Sequence, residues 1–386
     1  MRTMVLMWSG AIALATAMAQ DGGEFMMREI QPPASDAILF NPGMGLYLPG
    51  GRGMGRYRPP ADSKALQLCN IVYFRPSWSH LEPDGPGTGF EAYFAPVFDY
   101  WVRERGVRVA FRVMSESMHS NKAHVTPQWV IAKGIPTVLH RGLSVKEQHD
   151  PVFWNKAYLD EVCAFVERLG IYLDGRDGVE FVDIGSIGEW GEMHLGLHIP
   201  GRWTPQQLEE TGFTHEKYVA AYRRVIDAHA AAFRRTPVFL NVGGHGEIND
   251  YAALRGCHFR QDGLTPNGPS NNVGERFYIP YAERGVMGNY EFHSGLKSMR
   301  KKGWDLGKTV AQGLAAPVSY LNVNVLGMRA WEEAEPEVWQ RFQEAARKVG
   351  YRFRVRSVRV PEQVHVRPNA AGRLIVEHTW VNEGIA

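Results

Sequence analysis

Short apolar runs with strand character alternate along this chain with longer amphipathic stretches, and no other feature constrains the fold as strongly. The runs fall at 44–46, 70–74, 107–113, 179–184, 238–242, 257–261, 286–290 and 318–323. Apolar residues spaced three and four apart mark helices at 93–105, 153–169, 215–234, 306–315 and 336–349. A helix between consecutive strands returns the chain to its starting edge, so the strands pair in parallel. Eight such strands within 386 residues predict a (β/α)8 TIM barrel with insertions, because an open doubly wound sheet commonly has fewer. The fifth-to-sixth and sixth-to-seventh connections are thin in helical pattern, so irregular units are expected there.

The chain is 44% hydrophobic and 22% charged, enough for one large core. Its formal net charge is only +2 and its longest basic run is Arg300-Lys301-Lys302, which argues against a nucleic-acid partner. Residues 1–19 combine Arg2, an apolar stretch at 4–15 and Ala17-Met18-Ala19, the pattern of a signal peptide cleaved before Gln20. The mature chain is therefore expected to be exported, to the periplasm, cell surface or extracellular space. That apolar stretch is too short to span a bilayer and no later one is longer, so no stable membrane insertion is expected after cleavage. Cys69, Cys163 and Cys257 are odd in number and lack C-x-x-C spacing, which predicts free thiols and no structural zinc site.

The domain reading is a barrel over 20–350 and a change of character over 351–386. There, apolar and polar residues alternate at 354–360 and 374–381, as in antiparallel strands. Two strands are too few to close a sandwich, so 351–386 reads as the start of a small sandwich-like β-rich domain.

The run at 179–184 leads into Gly185-Ser186-Ile187-Gly188-Glu189-Trp190-Gly191-Glu192. In a (β/α)8 barrel the carboxyl ends of the strands form the active-site face. Glu189 and Glu192 follow the fourth strand, and Glu291, in Asn289-Tyr290-Glu291, closes the seventh. These strands face each other across the mouth, so their carboxyls can converge. A converging pair suits glycoside hydrolysis, one carboxyl protonating the leaving oxygen while the other attacks the anomeric carbon, without a cofactor. Glu189 is the first candidate for acid/base with Glu192 as its competitor, and Glu291 is the candidate nucleophile.

Arg75, Arg112, Glu116, Asn241, Asp262, His293 and Asn322 lie at the same expected edge, where donors and acceptors could bind sugar hydroxyls. Trp78, Trp129, Trp190, Trp203 and Trp331, with Tyr290, offer aromatic faces for a pyranose, and two of the five tryptophans are expected to line a groove. His119, His124, His194, His198 and His293 raise a metal alternative, but no H-E-x-x-H is present and the expected metal set is none. No G-x-S-x-G elbow points to an esterase.

These features resemble clan A glycoside hydrolases, whose barrels carry the acid/base after strand four and the nucleophile after strand seven. The segment from Arg75-Pro76-Ser77-Trp78 to Leu81-Glu82-Pro83 looks like the W-x-x-[LI]-E-P element of several such families. Asn41-Pro42-Gly43-Met44-Gly45, Gly188-Glu189-Trp190-Gly191-Glu192 and Trp380-Val381-Asn382-Glu383-Gly384 are similar to the bacterial DUF4832-type family of barrels with a C-terminal β-sandwich. The clan pattern has Asn directly before the acid/base, where this chain has Gly188. The resemblance implies an exported, retaining hydrolase acting on an oligo- or polysaccharide. A non-catalytic carbohydrate-binding or surface-scaffold protein on the same barrel is the rival.

Overall fold

The computed structural model describes residues 26–51, 57–242, 246–269, 275–364 and 374–386. The expected signal segment 1–19 lies outside the described residues. Eight parallel strands form the barrel: β1 (Gly45–Gly51), β2 (Cys69–Phe74), β3 (Arg108–Arg112), β4 (Val179–Asp183), β5 (Val238–Asn241), β6 (His258–Thr265), β7 (Gly288–Phe292) and β8 (Val318–Asn322), and the two-residue strand Gly268–Pro269 pairs antiparallel with the end of β6. Each barrel strand pairs in parallel with the next. The pairs Leu321↔Leu46 and Leu240↔Phe259 join β8 to β1 and β5 to β6, closing the ring. The expected (β/α)8 barrel is present.

Side chains alternate in and out along each strand. Tyr47, Ile71, Tyr73, Ala110, Phe181, Phe239 and Tyr320 meet inside the ring. Leu46, Val72, Phe74, Val109, Phe111, Val182, Leu240, Phe259 and Leu321 pack outward against the helices. Between Val109↔Val179 and Ala110↔Phe181 the register steps by one, leaving Glu180 as the extra residue. Its carboxylate takes the Tyr320 hydroxyl at 2.6 Å and Arg108 at 2.6 Å, closing the barrel floor beneath Asn41-Pro42-Gly43, whose Gly43 N–H also donates to it at 3.0 Å.

The long helices Lys156–Leu173 and His215–Ala232 start where Asn155 and Thr214 accept backbone N–H groups at 3.2 Å. The helix expected at 93–105 runs as Phe90–Val97, with Pro96 inside it, and continues as π-helix over Phe98–Glu104. The two thin connections carry helices of eight or nine residues, Gly246–Leu254 and Glu275–Ala282. One element had no signature in the sequence: an antiparallel hairpin, Thr137–His140 with Gln148–Pro151, inserted after β3.

β1 runs on to Gly51, past its expected end at 46, and two later strands outrun expectation for a shared reason. β6 runs to Thr265 and β7 to Phe292, because polar residues that face into the mouth interrupt the apolar run without ending the strand. Glu291 is therefore held inside β7.

Past the last barrel helix, Phe353–Pro361 pairs antiparallel with Glu377–Asn382 on one side and with Met27–Ile30 on the other. The expected C-terminal strands are present, and the lead into the barrel supplies the third. Among the described residues no helix is long and apolar enough to cross a membrane. Cys69, Cys163 and Cys257 are free thiols.

Candidate active site

Above the aromatic layer, toward the carboxyl ends of the strands, the barrel is filled with charge. Arg112 of β3 and Arg260 of β6 are fully buried, with their guanidinium carbons 5.8 and 4.9 Å from the Tyr73 ring centre. Both reach Asp183 at the end of β4, at 3.3 and 3.4 Å, and Tyr73 donates its hydroxyl to the same carboxylate oxygen. Arg260 also binds Asp262 at 2.7 Å, Glu291 and the Tyr47 hydroxyl. Arg112 binds Glu192 at 3.2 Å and lies 3.6 Å from Asp262.

Three carboxyls form the upper edge of this layer, with side chains exposed by 13% at Glu192, 16% at Asp262 and 11% at Glu291. Glu291 accepts from Arg260, from Asn322 at 2.8 Å and from Asn324 at 3.2 Å. All three partners donate, which suits a carboxylate anion. Glu192 and Asp262 lie side by side at this edge, each within the other's field. Burial, and then the Asp262 charge, raise Glu192 above the ordinary carboxyl range, against the pull of His194 and Arg112. Burial opposes ionisation at Asp262 too, but Arg260 and Arg112 outweigh it and hold that carboxyl far below its usual value. The two carboxyls are thus pushed in opposite directions, Glu192 toward the acid and Asp262 toward the anion. Asn241 donates to Asp262 at 2.8 Å, and half-buried Arg75 adds to its positive surroundings.

Glu189 points elsewhere. Its side chain is fully enclosed, bound by the Arg202 Nε at 2.6 Å and the Met118 backbone N–H at 2.7 Å. Glu116 and Asp150 meet the same Arg202, so this is a second buried cluster beside the mouth. Of the two carboxyls after β4, Glu192 is the one that joins Glu291 in the layer at the mouth.

The turn that separates them is strained. Trp190 (φ 56°) and Met193 (φ 62°) are the non-glycine residues with positive φ among the described residues, at about 1–3 kcal/mol each. Met193 is pinned because its carbonyl accepts from the hydroxyls of Tyr218, at 3.1 Å, and Tyr222. Gly188 has φ 84°, and a Cβ there would sit 2.3 Å from the His194 carbonyl oxygen. The Asn of the clan pattern therefore does not fit at 188 in this backbone. Gly188→Asn, although it restores that pattern, is expected to destabilise the fold by about 1–3 kcal/mol and to lower any turnover, read by urea denaturation and by hydrolysis of an aryl glycoside.

The aromatic candidates divide. Trp190 is half-exposed at the rim, its Nε1 donating to His119 at 2.8 Å with the two rings stacked 5.6 Å apart, and His194 abuts it edge-on. Trp78 and Trp331 are fully buried, Trp78 donating to Glu82 at 2.8 Å and Trp331 packing on Phe342. Glu82, the acid of the W-x-x-L-E-P element, is buried in a two-point pair with Arg168. Trp203 is buried and Trp129 bonds the Glu82 carbonyl. Tyr290 faces outward onto Tyr278, since its neighbours Asn289 and Glu291 take the inward positions. His293 bonds Ser294 and packs on Trp304, while His124 stacks on His149.

Sequence reasoning did not single out Arg260, Asp183, Tyr73, Asn324 or Arg202. A signal existed for some. Arg260 and Asp262 lie two apart in one strand, as do Asn289 and Glu291, so each pair shares a face.

No protein-family model matches the chain, and no curated protein does. Among solved structures it is similar to α-L-fucosidase isoenzyme 2 from Paenibacillus thiaminolyticus, at 12% identity and TM-score 0.44, covering 79% of this chain and 49% of the fucosidase. The chain thus spans about half the length of that enzyme. It is also similar to endo-glycoceramidase II from Rhodococcus sp., at 14% identity and TM-score 0.42, covering 81% of this chain and 79% of that one. A GH30 endoxylanase from Clostridium papyrosolvens C71 aligns at 9% identity and TM-score 0.44, over 82% of this chain and 81% of its own.

Proposed function

We propose that the chain is an exported, retaining glycoside hydrolase with Glu192 as acid/base and Glu291 as nucleophile. The observation that carries this reading is the division of labour at the mouth: a carboxyl that burial and the Asp262 charge push above the ordinary range on the loop after β4, and one held by three donors on β7. In the first step the Glu291 carboxylate attacks the anomeric carbon while Glu192 passes its proton to the departing oxygen. In the second, Glu192 takes a proton from water, the water oxygen attacks the glycosyl-enzyme, and Glu291 leaves as carboxylate. Trp190, beside Glu192, offers an aromatic face to the apolar side of a sugar ring. Kinship with the DUF4832-type family belongs to the same proposal and rests on the three short motifs.

The rival, a non-catalytic glycan-binding barrel, is favoured by one observation: Arg112 and Arg260 already engage every carboxyl of the mouth, as a structural plug would. pH dependence separates the two. The acid must carry its proton, so a raised Glu192 moves the alkaline limb of the rate profile upward from the ordinary carboxyl range. Glu192→Gln is expected to abolish that limb and to slow poor leaving groups by about 10²–10⁴-fold, while a dinitrophenyl glycoside, which needs no protonation, still forms glycosyl-enzyme. Glycan binding without release of sugar by the unmodified protein would favour the rival.

A further inference from the structure

The second buried cluster is built by the hairpin after β3. In the antiparallel register Val138↔Asp150 and His140↔Gln148, the side chains of 138, 140, 148 and 150 share one face, and all four are buried. Leu139, on the other face, is 52% exposed. The buried face brings His140 and Asp150 against Glu116, and one ligating atom from each of the three lies within 4.8 Å of the others.

The charges there do not balance. Glu116, Asp150 and Glu189 are three carboxyls at 1% exposure or less, and the cation that meets all three is Arg202. Arg202 engages one oxygen of Glu116 and one of Asp150, and His140 Nδ1 bonds that same Asp150 oxygen at 2.8 Å. Each of the three residues keeps one further buried atom without a hydrogen-bond partner among the described residues: Glu116 Oε2, His140 Nε2 and Asp150 Oδ1. Orphaned buried acceptors are costly, and three together on residues of metal-ligating type have a common remedy.

We infer that Glu116, His140 and Asp150 form a binding site for one divalent transition-metal ion. An imidazole beside two carboxylates suits Zn²⁺ or Mn²⁺ better than the all-oxygen shells of Ca²⁺ and Mg²⁺. The ion's two positive charges offset the excess that Arg202 leaves. It ties the hairpin to the loop after β3, and through Arg202 to Glu189 on the loop after β4. The site is separate from the glycosidase reading and stands whether or not that reading holds.

The test uses the full chain, produced without a histidine tag, stripped with EDTA and re-equilibrated with ZnCl₂ or MnCl₂ before gel filtration. One equivalent of metal per chain is expected by elemental analysis, with a rise in the thermal midpoint of about 5 °C or more that EDTA reverses. Glu116→Gln and His140→Ala should lose both the metal and the shift, and near-isosteric Glu116→Gln decides the matter if His140→Ala does not fold. No retained metal and no shift in the unmodified protein would overturn the site. Retention by both variants, or loss on His198→Ala instead, would overturn it too, the latter by moving the metal to the histidines at the mouth.

Discussion

Glu291→Ala is expected to lower turnover of an activated aryl glycoside by about 10⁴-fold or more, the scale set by removing a group that forms a covalent intermediate. Sodium azide should restore part of the lost rate, because a small anion fits where the carboxylate stood and attacks the anomeric carbon from the same side. The product would be a glycosyl azide of inverted configuration. Azide acting on Glu192→Ala would give the retained configuration instead, because there it replaces the water of the second step. The fold should tolerate the change, since Arg260 keeps Asp183 and Asp262 as partners. Glu291→Gln controls for size. Turnover above a tenth of the unmodified rate in either variant would remove Glu291 from the chemistry.

Arg260→Met carries the largest expected effect on stability, about 3–5 kcal/mol, because it leaves buried anions without their shared cation. Asp183, Asp262 and Glu291 all meet this guanidinium, which is itself fully enclosed. Replacing the whole network by apolar groups could be neutral; removing one member is not. A surface pair sets the scale. Arg300 and Glu335 also form a two-point pair, but both are more than half exposed and screened by water, so Arg300→Ala is expected to cost far less. Urea denaturation of the two variants side by side tests the contrast, and equal costs would mean that the mouth is wetter than its packing implies.

The barrel was legible because its signal is local and repeated. Each apolar run is a strand and each amphipathic stretch a helix, so eight short observations add up to a topology. The carboxyls at β4 and β7 were legible from their places in that count. Glu189 and Glu192 could not be told apart from spacing, because Trp190 and Met193 adopt left-handed backbone that turns one side chain into the wall and the other into the mouth. Arg260 and Asp183 were hidden for another reason: both fall inside the expected strands at 257–261 and 179–184, and a charged residue there shows its role only when the opposing charges from other strands are known. The hairpin at 137–151 buries only one face and is stapled by Arg202 from a later loop, so no apolar run announces it. Met27–Ile30 finds its partner at the other end of the chain, beyond the reach of local pattern.

The charged layer also bears on how such a barrel can change over generations. Arg112, Asp183, Arg260, Asp262 and Glu291 are joined through shared partners, so their substitutions are strongly epistatic: a second change can be tolerated only in the background of the first, with couplings of about 0.5–3 kcal/mol. Stepwise mutation across this layer passes through unstable intermediates. Trp190 meets this layer through its backbone carbonyl, which accepts from Arg112 at 3.2 Å and stays in place when the side chain changes, and His194 meets it at Glu192. Divergence in what the mouth accepts should therefore accumulate in the loops after the strands, with the charged layer inherited as a block.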